Sequence, residues 1–108
     1  MQHDQSDRRQ YARQSVMLPC RMDGVTTSGT MEVTDLSAGG CFIATPELMT
    51  AGSEVTIRAK VAGVELALTG RVVRLQPGRG FGVEFGHLPS DTRYLLEHFL
   101  TRAPTPSY

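Results

Sequence analysis

Apolar and polar residues alternate along most of the chain between Val16 and Phe85. A period of two is typical of β-strands with one buried face and one exposed face. The alternation is clearest in residues 53–61, where Val55, Ile57 and Val61 share one phase and polar side chains fill the other. The same pattern predicts six strands, at residues 16–23, 30–35, 41–45, 53–61, 64–76 and 81–85.

Glycine and proline mark the connections between these strands. Ala62-Gly63 and Pro77-Gly78 predict tight turns, and residues 47–52 form a connector with room for one helical turn. Gly70 interrupts the long fifth strand and predicts a bend or bulge at which the inward face changes over. Short strands with such bends are typical of a small barrel.

After Gly86 the period changes to that of a helix, with Ser90 as a candidate N-cap. The apolar stripe of this helix consists of Leu95, Leu96, Phe99 and Leu100. The fold is therefore expected to be mainly β: a six-stranded antiparallel β-barrel with a C-terminal α-helix.

Residues 1–15 have too few apolar side chains to pack against such a barrel, and residues 103–108 contain two prolines. We therefore expect a flexible N-terminal arm over residues 1–15 and a frayed tail over residues 103–108. Residues 16–102 are assigned to the barrel and its helix.

Composition narrows the possible functions. The chain has 108 residues, enough for one domain, and 11 basic residues balance 11 acidic ones. Zero net charge argues against non-specific binding to long nucleic acid or to an acidic membrane surface. Neither a run of apolar residues long enough for membrane insertion nor an N-terminal signal-peptide core is present in the sequence, so a cytoplasmic location is expected.

Catalytic chemistry has little support in the sequence. Cys20 and Cys41 are isolated in apolar strand patterns, which indicates reduced and mostly buried thiols and offers no metal or redox pair. His3, His87 and His98 lack metal-ligand spacing and a paired nucleophile. The sequence therefore predicts neither an enzyme nor a metal site.

Two polar clusters remain as candidate chemistry. Arg9 and Arg13 lie on the polar arm, and guanidinium groups can bind phosphate or the O6/N7 edge of guanine bidentately. Residues 35–40 form a turn that contains Asp35 and Ser37, whose side chains can also hydrogen-bond their own backbone, followed by Gly39 and Gly40. Together the two clusters describe a site for a guanine nucleotide, in which a carboxylate accepts the N1 and N2 donors of the base.

These clusters resemble the signature of the PilZ domain family, RxxxR followed by (D/N)xSxxG. Arg9-Gln10-Tyr11-Ala12-Arg13 matches the first part and Asp35-Leu36-Ser37-Ala38-Gly39-Gly40 the second. The resemblance covers nearly the whole chain, because the family is a six-stranded antiparallel barrel with a C-terminal helix, and the segment Gly82-Val83-Glu84-Phe85 is also similar to the family.

The resemblance implies that the chain binds cyclic di-GMP as a ligand, with no further cofactor. By the same resemblance, Arg9 and Arg13 would clamp phosphate and guanine, while Asp35, Ser37 and the glycines Gly39 and Gly40 would hold a guanine against the barrel. Arg8 adds a third guanidinium, so one or two ligands per chain are both expected possibilities. A separate, unidentified downstream protein would then recognise the ordered arm.

Two other interpretations stay open at this stage. One is a PilZ-like barrel that serves as a protein-interaction module without binding the nucleotide. The other is a small β-barrel that binds RNA or single-stranded DNA, for which a basic groove interleaved with aromatic residues is required. The absence of Trp and the zero net charge count against the second.

Overall fold

The computed structural model describes residues 14–24 and 31–102. The predicted arm up to Arg13, with Arg8 and Arg9, lies outside the described residues, as do residues 25–30 and the predicted frayed tail. The described strands are β1 (Gln14–Met22), β2 (Glu32–Leu36), β3 (Gly40–Ala44), β4 (Glu54–Val61), β5 (Val64–Gln76) and β6 (Gly80–Phe85), followed by helix α1 (Ser90–Arg102).

The strands close into one barrel in the order β1-β2-β3-β6-β5-β4, and every neighbouring pair is antiparallel. The prediction of a six-stranded antiparallel β-barrel with a C-terminal helix is therefore confirmed. The first strand begins at Gln14, two residues earlier than predicted, so Gln14 and Ser15 belong to the barrel.

Alternating side chains of the strands fill the barrel interior, as the period of two predicts. Leu96 and Leu100 of α1 join the same apolar core, and α1 contacts β4. The largest fully buried side chains are Phe81, Leu36, Ile43, Ile57, Leu68, Leu96, Val33, Val61 and Val72.

The predicted change of the inward face at Gly70 is wrong. Leu68, Gly70 and Val72 are all buried and share one face, and β4 pairs with this part of β5 without a break in register. A Cβ at position 70 would overlap the carbonyl oxygen of Glu84, so glycine is needed there because β6 approaches closely. The irregularity in β5 lies later, between Val72 and Arg74.

Two smaller expectations also differ from the structure. The connector between β3 and β4 contains no helical turn. Ser90 is the first residue of α1 rather than its N-cap, because the carbonyl of Pro89 accepts the first helical hydrogen bond, from the N–H of Arg93 at 3.0 Å. The length and hydropathy of α1, the helix in the described part of the chain, do not permit it to span a membrane.

Ion pairs connect the C-terminal end of β1 and the residue after it with β4 and β5 on the barrel surface. Arg58 of β4 donates two hydrogen bonds to the Asp23 carboxylate, at 2.7 and 2.9 Å. Arg21 of β1 donates one to Glu65 of β5 at 2.8 Å. All four side chains are well exposed, so water screens these pairs and each contributes little to stability.

Candidate functional site

The turn between β2 and β3 is organised by the hydroxyl of Ser37. Its Oγ accepts hydrogen bonds from the N–H groups of Gly39 at 3.1 Å and Gly40 at 3.2 Å. The hydroxyl can donate to the carbonyl of Gly40 at 3.3 Å, and the N–H of Ser37 donates to the same carbonyl at 2.8 Å. Ser37 is only 8% exposed, so its side chain holds the turn from within.

The two glycines bind this turn to β6. The carbonyl of Gly39 accepts a hydrogen bond from the N–H of Phe85 at 2.9 Å. Gly40 pairs with Glu84, and a Cβ at position 40 would overlap the carbonyl oxygen of Val83. Glycine at position 40 is therefore required by the approach of β6, whether or not a ligand is present.

Asp35 lies on the outer face of the barrel, because its neighbour Leu36 points into the core. It pairs with Ser15 of β1 on one side and with Phe42 of β3 on the other. The register shifts on both sides of β2 just before Asp35, in a pattern typical of β-bulges. Bulges re-aim side chains and are frequent beside binding sites.

The start of β1, at Gln14, lies next to this turn. Gln14, which directly follows Arg13 in the sequence, pairs with Leu36, which directly precedes Ser37. Of the predicted site residues, the structure thus brings together Asp35, Ser37, Gly39 and Gly40, whereas Arg8, Arg9 and Arg13 lie outside the described residues.

The cysteines near the site are not poised for chemistry. Burial raises the pKa of the Cys41 thiol far above its ordinary value, and Cys20 and Asp35 raise it further. Burial and the charge of Glu32 raise the pKa of Cys20 to about 11. Both thiols therefore stay protonated at neutral pH, where a protonated thiol is a poor nucleophile and a poor metal ligand. Within residues 14–24 and 31–102, no cluster of His, Cys, Asp or Glu could hold a metal ion.

Phe42 is a candidate site residue that lies outside both sequence motifs. Cys41 and Ile43 on either side of it are buried, so the side chain of Phe42 lies on the outer face, where it is half-buried. The signal was available: an aromatic residue occupies the polar phase of a strand, two positions after the glycine that ends the turn motif.

A small closed barrel with a carboxylate beside a serine-glycine turn matches the fold and the second motif of the PilZ domains, which are ligand-binding and adaptor modules. The family model "PilZ domain" matches residues 7–102, which include both sequence motifs, and the chain belongs to this family. PilZ domains are a family of cyclic di-GMP receptors.

Two solved structures have similar folds. One is the Bacillus subtilis inhibitor of motility, MotI/DgrA, at 14% identity and a TM-score of 0.76; the match covers 86% of this chain and 49% of that one. This chain therefore spans about half the length of MotI/DgrA. The other is a PilZ domain of CeSA from a cellulose-synthesizing bacterium, at 23% identity and a TM-score of 0.61, covering 83% of this chain and 95% of that one. No curated protein matches the sequence.

Proposed function

We propose that this PilZ domain is a cyclic di-GMP receptor that binds the ligand between its N-terminal arginines and the turn at residues 35–40. The observation that carries the proposal is the pairing of Gln14 with Leu36. Arg13 is bonded to Gln14, so the arginine motif joins the barrel beside the carboxylate of Asp35 although the two motifs are distant in sequence. The proposed phosphate clamp and the proposed guanine-binding carboxylate would then lie side by side on the barrel.

In the proposed complex, each group has a role that follows from its chemistry. Arg9 and Arg13 bind the phosphates and the O6/N7 edge of guanine, since a guanidinium fork matches both bidentately. Asp35 accepts hydrogen bonds from the opposite edge of the base. Arg8 supplies a further positive charge, which a second ligand molecule would use.

Ser37, Gly39 and Gly40 complete the proposed site. Ser37 and Gly40 position the turn, because their contacts fix the backbone that follows Asp35. Such a pre-formed turn lowers the conformational cost of binding. In the proposed complex, Ser37, Gly39 and Gly40 also contact the guanine.

We further propose that binding orders the N-terminal arm and that a partner protein recognises the ordered state. A polar segment that closes over a dianion loses conformational freedom, which the ligand contacts must offset. A partner that touches the arm or the covered barrel face then binds the two states with different affinities, and this difference is the signal. Because the proposed ligand is a bacterial second messenger, we expect its receptor to act in the cytoplasm.

The alternative is a protein-interaction module that does not bind the nucleotide. One observation favours it: Ser37 and Gly40 both have structural reasons to be present without any ligand. The presence of the turn motif therefore does not by itself indicate that the nucleotide binds. The arginines distinguish the two functions, because only the receptor function requires them.

Isothermal titration of the protein with cyclic di-GMP, with GTP as the control nucleotide, tests the proposal. We expect micromolar or tighter binding of one or two ligand molecules per chain and no comparable binding of GTP. The absence of both heat and a thermal shift would reject the receptor function and favour the interaction module.

A further inference from the structure

A continuous row of outward-facing positions crosses five strands of the barrel at Asp35. Ser15 of β1 pairs with Asp35 of β2, Asp35 with Phe42 of β3, Phe42 with Gly82 of β6, and Gly82 with Arg74 of β5. Paired residues of antiparallel strands project from the same face. The row therefore puts an aromatic residue at the strand position next to Asp35, on the same face of the barrel.

Beyond Phe42, the outer face of β6 carries two glycines, Gly80 and Gly82, both covered by neighbouring side chains. The ring of Phe42 extends over Gly80, since a Cβ at position 80 would come within 2.9 Å of its Cε2 atom. Gly82 has no side chain either, and its nearest neighbours on β5 are the Val73 side chain and the Cβ of Arg74. The phenyl ring thus leans over the glycine-bearing strand β6, with part of its surface open to solvent.

The dimensions of this surface suit a nucleobase. Neighbouring strands are about 4.8 Å apart, so the step from Asp35 across Phe42 to Gly82 spans roughly 10 Å, comparable to the long dimension of a purine. Flat aromatic surfaces bind bases by stacking, and a carboxylate at one end can then meet the edge of the base.

We propose that Phe42 is the stacking surface for a guanine of the ligand, with Asp35 at the edge of that base. This inference rests on the proposed function, because it takes cyclic di-GMP as the ligand. It assigns to Gly80 the role of letting the ring of Phe42 lie close to β6. Phe42 would then be a contact that neither sequence motif contains.

The chain has no Trp, so Phe42→Trp introduces a single tryptophan at the proposed contact, and its emission can be followed selectively. We expect cyclic di-GMP to quench its fluorescence, with a midpoint that matches the Kd from calorimetry, because a stacked guanine quenches indole. Tyr94→Trp is the matched control: Tyr94 is an exposed aromatic residue on α1, which contacts β4, and β4 lies opposite β3 in the barrel order. Its fluorescence should not change.

Phe42→Leu separates stacking from simple apolar cover, since leucine still shields Gly80 but has no aromatic face. We expect the Kd for cyclic di-GMP to rise about tenfold while the melting temperature of the free protein stays unchanged. Tyr94→Leu should leave the Kd unchanged.

The outcomes distinguish this inference from the proposed function. If the wild type binds cyclic di-GMP but Phe42→Leu binds it equally well, Phe42 is not a contact and the inference is overturned, whereas the receptor function stands. A blue shift of the Phe42→Trp emission without quenching would also overturn it, because a protein segment and not a base would then cover the ring. If the wild type does not bind at all, the receptor function itself fails.

Discussion

The carbonyl oxygen of Val83 lies so close to Gly40 that no room is left for the Cβ of any side chain there. Gly40 therefore allows β3 and β6 to pair directly behind the candidate site. The glycine that ends the turn motif is a structural requirement of the barrel.

Gly40→Ala should accordingly destabilise the free protein. The added methyl group must displace the β6 backbone, and overpacking of this kind costs about 1–3 kcal/mol of unfolding free energy. Gly86→Ala is the matched control, because a Cβ there meets nothing within 4 Å, and its effect should stay within about 0.5 kcal/mol. Chemical denaturation measures both values. Equal stability of the two variants would show that the β6 backbone can move to accommodate the methyl group at no cost in free energy.

Ser37→Ala should also lower stability in the absence of ligand. The N–H groups of Gly39 and Gly40 would lose their acceptor inside the turn, at an expected cost of about 1–2 kcal/mol. Ser15→Ala, at an exposed serine opposite Asp35, serves as the control and should be neutral. A Ser37→Ala variant as stable as the wild type but defective in cyclic di-GMP binding would mean that the hydroxyl acts on the ligand and not on the turn.

The arginine motif should show the opposite behaviour. Arg9→Ala and Arg13→Ala should each weaken cyclic di-GMP binding by about 2 kcal/mol or more, roughly thirtyfold in Kd, because charge-assisted hydrogen bonds are lost. The melting temperature of the free protein should not change. Arg93→Ala, on α1, removes an exposed guanidinium that pairs with Glu97 at 3.7 Å and should leave the Kd unchanged. A large fall in melting temperature for Arg9→Ala or Arg13→Ala would make these residues structural.

Ligand affinity should decrease as the salt concentration rises. From about 0.1 M to about 1 M salt the screening length falls from about 10 Å to about 3 Å, which weakens the attraction between guanidinium groups and phosphates. Calorimetric titrations of cyclic di-GMP over this range give the slope, and Arg9→Ala should make it shallower. A Kd independent of salt would argue against a phosphate clamp.

The ion pair between Asp23 and Arg58 should produce a small acid-dependent change in stability. The hydrogen bonds from Arg58 lower the pKa of Asp23 below its ordinary value of 3.8. A depressed carboxyl pKa stabilises the fold above the unfolded pKa, and this contribution disappears as the pH falls through the folded pKa. Asp23→Asn should therefore be slightly less stable than the wild type at pH 7 and equally stable in strong acid. Denaturation curves at several pH values test this. In an Arg58→Leu background, Asp23→Asn should no longer change the stability at pH 7.

The sequence by itself determined the strands, the helix and the family. A period of two predicts residues 53–61 as a strand because a half-buried sheet forces alternate side chains to opposite faces, and β4 agrees with it within one residue. The two sequence motifs were sufficient to identify the PilZ family, since they fix residue types at set spacings. These are local properties, and local patterns report them directly.

Only the tertiary structure decided which strands are neighbours and which residues lie beside each candidate site residue. From the sequence, Gly70 predicted a bend. In the structure, the close approach of Glu84 from β6 explains why position 70 is a glycine. The row that joins Asp35 to Phe42 depends on register shifts on both sides of β2, which no local pattern specifies. Pairing between distant strands is settled by the closure of the whole barrel, so the surroundings of a residue in space cannot be inferred from its neighbours in sequence.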